Sequence, residues 1–131
     1  MRRSLSWVVG SGRSCEGDML RDPSWSDVLT QLKKSCHGAG SVTMDVDELA
    51  GFELLTLQVV ADAGKYVLTL GEDDGNDYDV RMFSGDGSSG KKICIQGELV
   101  ESSMVCSDFE GVVEIFKQLF CSGQVARNLM R

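Results

Sequence analysis

Residues 54–70 read Leu-Leu-Thr-Leu-Gln-Val-Val-Ala-Asp-Ala-Gly-Lys-Tyr-Val-Leu-Thr-Leu. Two apolar runs, Leu54 to Val60 and Lys65 to Leu70, flank Ala61-Asp62-Ala63-Gly64. The stretch therefore reads as a β-hairpin whose turn places Gly64 at positive φ, where a residue without Cβ carries no steric cost. Just upstream, Ser41 to Val46 (SVTMDV) sets Val42, Met44 and Val46 against Ser41, Thr43 and Asp45, the two-residue period of a half-buried strand. Downstream, Tyr78 to Phe83 and Ile93 to Gln96 continue the strand series, with the Gly/Ser run 85–90 between them, and Leu99 to Val105 adds an edge strand.

Outside this block the pattern changes. Ser4 to Val9 (SLSWVV) reads as a first strand, followed by a Gly/Ser loop through Gly17. Pro23-Ser24-Trp25-Ser26-Asp27 has the form of a helix start, with Ser24 as N-cap and Asp27 three residues on. Trp25, Val28, Leu29 and Leu32 then fall on one helical face, and Gly38 and Gly40 end the helix. Ser107-Asp108-Phe109-Glu110 is an S-x-x-E capping box. It opens a second helix on which Phe109, Val112, Val113, Phe116, Leu119 and Phe120 recur at steps of three and four, with Gly123 as its stop. The order β-α-β-β-β-β-(β)-α has too few crossovers for a parallel sheet. The expected fold is α+β, a mainly antiparallel sheet of five to six strands with two helices packed on one face, in a single domain over 1–131.

Charge narrows the function classes. Thirteen basic and twenty acidic residues give −7 overall. Residues 41–80 hold one basic and ten acidic groups, a net of −9, whereas residues 1–40 hold six and four and residues 81–131 six of each. Such a charge repels phosphate backbones, so no nucleic-acid partner is expected; a basic protein surface suits it better. Five carboxylates crowd into positions 72–79: Glu72, Asp73, Asp74, Asp77 and Asp79. They lie between two strands and hence at one end of the sheet. Asp45, Asp47 and Glu48 form a second acidic patch, which merges with the first if the strand from Ser41 ends nearby. A solvated turn is the simpler reading of the 72–79 loop, because Asp, Asn and Gly tolerate turn geometry. A calcium site fits poorly, since an EF-hand register from Asp73 puts Gly75 at the second ligand and Ser84 at the twelfth place.

No catalytic centre emerges. His37 is the single histidine, which removes most acid-base and nucleophilic schemes. Its neighbour Cys36 is adjacent in sequence, an arrangement that rarely aligns two side chains for proton transfer. His37 next to Gly38 at a helix C-terminus is better read as a dipole contact. Neither GxxxxGK[ST] nor a strand-linked GxGxxG is present, and no cofactor is expected. The five cysteines, Cys15, Cys36, Cys94, Cys106 and Cys121, include no CxxC pair, so neither a zinc knuckle nor a redox motif is expected. The N-terminal apolar stretch is too short for a signal peptide and no run reaches membrane-spanning length. These features together point to a reducing cytoplasm with free thiols and no membrane partner. Trp7 and Trp25 are read as core.

Three stretches carry a family resemblance: Gly40-Ser41-Val42-Thr43-Met44-Asp45-Val46; Gly64 to Gly71 with Asp77-Tyr78-Asp79-Val80-Arg81; and Val105-Cys106-Ser107-Asp108-Phe109 through Phe116-Lys117 to Gly123-Gln124-Val125. With Pro23-Ser24-Trp25 upstream, the chain resembles small bacterial immunity proteins of the Imm1-like type, which accompany polymorphic or contact-dependent growth-inhibition toxins. The likeness spans most of residues 23–129 and departs from the pattern in the first twenty. It implies a non-enzymatic inhibitor that occludes the active site of a cognate toxin domain, a nuclease or deaminase with a basic surface. Asp45, Asp47, Glu48, Glu72, Asp73, Asp74, Asp77 and Asp79 are then the candidate contacts. Two other readings compete: a general interaction or oligomerisation domain without a toxin partner, and a small enzyme working through paired carboxylates.

Overall fold

A computed structural model describes residues 1–10, 16–49, 51–84 and 90–130. Strands β1 (Arg2–Val9) and β2 (Glu16–Arg21) are followed by helix α1 (Trp25–Ser35). Then come β3 (Ala39–Leu49), β4 (Phe52–Asp62), β5 (Lys65–Asp73), β6 (Tyr78–Met82), β7 (Lys92–Ile95) and β8 (Glu98–Glu101). A single 3-10 turn, Ser102–Met104, leads into the short β9 (Val105–Cys106) and helix α2 (Phe109–Ser122). The main sheet runs β2-β1-β3-β4-β5-β6, with β9 pairing the free stretch of β5 beside β6. Every pairing in it is antiparallel. The expected α+β architecture with two helices is the one found.

The hairpin at residues 54–70 forms as its sequence requires. Val60 pairs Val67 and Asp62 pairs Lys65, which leaves a two-residue turn. Ala63 (φ 50) and Gly64 (φ 81) both take positive φ, the geometry whose twist matches that of the flanking strands. Across the sheet, Leu5, Met44, Leu57 and Leu70 stand in one register row, and all are buried. Side chains alternate along each strand, so this row defines a core face. Val28 and Leu32 of α1 and Val112, Ile115, Phe116 and Leu119 of α2 join the same buried cluster, so both helices cover that face. Each such side chain contributes about 1.5–3 kcal/mol by leaving water. Trp7 and Trp25 pack against the cluster as expected. Trp25 meets Phe120 at 5.7 Å between ring centres, and the Arg3 guanidinium lies 4.2 Å from the Phe120 ring. These contacts join the two helices to β1.

Ser24 caps α1 with both halves of the capping box in place: Asp27 N–H donates to Ser24 Oγ, and Ser24 N–H donates to Asp27 Oδ2. Helix α2 begins one residue later than its S-x-x-E motif suggests. Asp108 is the N-cap, accepting from Glu110 N–H, and the helix stops at Gly123 (φ 72). Strand β2 was not expected. All six of its residues are exposed, so it carries no hydrophobic period to read. The β7–β8 pair does not extend the main sheet but forms a two-stranded sheet of its own, closed by Gln96 (φ 48) and Gly97 (φ 87). Gln96 Nε2 donates to the carbonyls of Gly40 and Ala61, and Gln96 N–H donates to Asp62 Oδ2. This hairpin buries Ile95 outside the main cluster and closes one end of the second, outer face. The expected loop through Cys15 and the Gly/Ser run lie largely outside the described residues.

Candidate functional site

The antiparallel register decides where the acidic candidates stand. Asp47 pairs Leu54, Leu54 pairs Asp73, and Asp73 pairs Tyr78. This row lies on the outer face, opposite to the helices. Neighbouring strands are about 4.8 Å apart, so Asp47 and Asp73 sit roughly 10 Å from each other. The two acidic patches do meet at one end of the sheet.

Their charges are compensated unequally. The Arg2 guanidinium donates to both oxygens of Asp47 at 3.2 and 3.0 Å and lies 3.7 Å from Glu48 Oε1. Asp45 accepts from Thr56 Oγ1 at 2.8 Å. Glu72 projects to the core side of β5 rather than outward, and its register partner Asp79 stands on that same side of β6. The Glu72 carboxylate lies 3.5 Å from the Arg81 guanidinium, with both side chains nearly buried. That leaves Asp73, Asp74, Asp77 and Asp79, which have no ion-pair partner among the described residues. The tight turn holds the first two in place. Asp73 Oδ1 accepts from Gly75 N–H, and Asp74 Oδ1 accepts from Asn76 and Asp77 N–H. The bonds from Asp77 and Asn76 hold the Asp74 carboxyl below its ordinary pKa, so it stays charged. Asp74, Asp77 and Asp79, together with Glu72, Phe52, Tyr78 and Arg127, line a hollow of about 490 Å³. A second hollow of about 470 Å³ opens at the other side of the same sheet end, by Arg2, Met19, Arg21, Asp45 and Asp47.

The sequence reading overlooked the apolar part of this end. Leu54, Tyr78 and Val80 are large, exposed and clustered on the outer face. A glycine inside a strand, Gly71, was the available signal, because it marks close approach of another group.

The Cys36–His37 neighbourhood offers little chemistry. Burial pushes the Cys36 thiol up to about 11, so it is protonated at neutral pH and a poor nucleophile. His37 is exposed beside it. Cys36, Cys94, Cys106 and Cys121 are all free thiols. Among the described residues no three His, Cys, Asp or Glu side chains converge as a metal ion requires. No described helix is long and apolar enough to cross a membrane.

Comparison with known proteins adds a family and a fold. The sequence profile described as "Family of unknown function (DUF6911)" matches residues 6–129. No curated protein matches the sequence. A crystal structure of a hypothetical protein from Neisseria gonorrhoeae is similar with a TM-score of 0.73, over 95% of this chain and 91% of that one. At 12% identity the likeness concerns the fold alone.

Proposed function

We propose that this chain, which belongs to the DUF6911 family of unknown function, is a bacterial inhibitor that neutralises a toxin domain by covering its active site. Its activity is binding rather than catalysis, and it acts in the cytoplasm. The observation that carries the reading is the acidic sheet end. Asp73, Asp74, Asp77 and Asp79 have no ion-pair partner among the described residues, Asp73 and Asp74 bond to the backbone of their own turn, and an exposed aromatic ring stands beside them. A partner that handles nucleic acid presents a basic groove, and complementary charge speeds encounter and sharpens specificity. Such a partner is a nuclease or a deaminase. The likeness to immunity proteins in residues 23–129 supports the same conclusion.

The test is protection. The chain is co-expressed with toxin domains encoded beside it, and affinity is measured over a range of salt. A complex that weakens with salt, and roughly tenfold or more in an Asp73→Asn/Asp74→Asn/Asp77→Asn variant, is expected. Full protection and affinity in that variant would remove the acidic loop from the interface. Failure to bind or protect against any such domain would refute the function.

A further inference from the structure

On the outer face, Gly71 of β5 pairs Val80 of β6, and Tyr78 stands two residues along the same face. A Cβ placed on Gly71 would lie 2.9 Å from Tyr78 Cζ and 3.2 Å from Cε2, and closer still to the hydroxyl oxygen. The phenol ring therefore lies against the bare backbone of β5, in space that any other residue at 71 would fill. Even so, Tyr78 is 67% exposed. One side of the ring is supported by the sheet and the rest meets solvent. Leu54 (37% exposed) and Val80 (49%) extend the apolar area. Asp73 is the register neighbour of both Leu54 and Tyr78. One Asp73 oxygen accepts from Gly75 N–H, and among the described residues the other has no partner.

We propose that Tyr78, laid over Gly71, is the platform on which an arginine side chain of the protein partner docks. The proposal rests on the binding function above and specifies its contact chemistry. A guanidinium is planar and weakly hydrated; it stacks on an aromatic face and at the same time donates to a carboxylate beside it. Tyr78 supplies the face and Asp73 the acceptor, while Leu54 and Val80 receive the aliphatic stem. A lysine ammonium, a compact and strongly hydrated charge, uses only part of this arrangement. The surrounding carboxylates favour either cation, so the ring is what discriminates between them. The glycine has a role in recognition as well as in packing, since any side chain at 71 lifts the ring from its support.

Isotope-labelled full-length chain is titrated with the capped peptides Leu-Arg-Arg-Leu and Leu-Lys-Lys-Leu, and NMR shifts are followed. The arginine peptide is expected to perturb the Tyr78 ring with Leu54, Asp73 and Val80, and to bind about threefold or more tighter than the lysine peptide. Tyr78→Ala weakens it about threefold or more, whereas Tyr78→Phe stays within about twofold, since the ring survives. Gly71→Ala behaves like Tyr78→Ala. If Gly71→Ala misfolds, the Tyr78 pair still decides. Equal binding of the two peptides, wild-type affinity in Tyr78→Ala, or shifts confined to Asp74–Asp77 would each overturn the platform. A toxin domain neutralised equally by Tyr78→Ala overturns the platform and leaves the inhibitor reading standing. Arginine-peptide binding at Tyr78 without any toxin complex does the reverse.

Discussion

Arg81 bears more of the structure than its place on an edge strand suggests. It pairs Leu70 in the register and so points to the core side, where it is 4% exposed. Its Nε and Nη2 donate to Met130 O at 3.0 and 2.6 Å, and Nη2 also donates to Val125 O at 3.0 Å. The segment after α2 is thereby tied to the sheet, and Glu72 balances the charge. A buried ion pair adds little net stability over an apolar pair, but removal of one member is costly. Arg81→Ala leaves the carbonyls and the Glu72 carboxylate without donors, and a loss of about 3–5 kcal/mol is expected in urea denaturation. A loss within about 0.5 kcal/mol, as for an ordinary surface change, would refute the clamp. Sequence could not show this. The acceptors lie 44 and 49 residues away, and alternation alone marks Arg81 as one more polar residue in a strand.

At the scale of elements, the connection between β5 and β6 is pH-sensitive through Asp74. Its folded pKa is depressed, so the order it confers is complete above the ordinary aspartate pKa and is lost as pH falls through the lower, folded value. The amide signals of Asn76 and Asp77, which bond to this carboxylate, are expected to hold from neutrality to about pH 4 and to move only below it. Movement already near pH 5, or equal movement in Asp74→Asn, would exclude the carboxylate as the cause. The elements legible from sequence were those whose determinants are local. The α1 capping box and the Ala63-Gly64 turn each reside within four residues. The start of α2 moved by one because Ser107 and Asp108 are both good caps, and which of them takes the role depends on the chain leaving β9. The carboxylates of the candidate surface were equally visible, but which were paired was not, since Arg2 and Arg81 approach from other strands.

For the whole molecule, the open sheet has two edges, and both carry the same guard. Met19 N–H donates to Asp18 Oδ1 on β2, and Val80 N–H donates to Asp79 Oδ1 on β6. Each outward amide is occupied by the preceding side chain, and each edge also presents a charge, which discourages strand addition by another chain. An Asp18→Ala/Asp79→Ala variant is expected to self-associate at high concentration in sedimentation while keeping its fold; a strictly monomeric variant would show that the edges are protected by other means. Both helices lie on the opposite side of the sheet, so Thr43, Thr56, Gln58, Thr69 and Val80 belong to no core cluster. Substitution of an exposed residue such as Val80 therefore costs about 0.5 kcal/mol or less, far below what the fold can absorb. For the inhibitor proposed above, that uncoupling makes the outer side evolvable: its specificity can drift from one target to the next while the scaffold beneath is inherited unchanged.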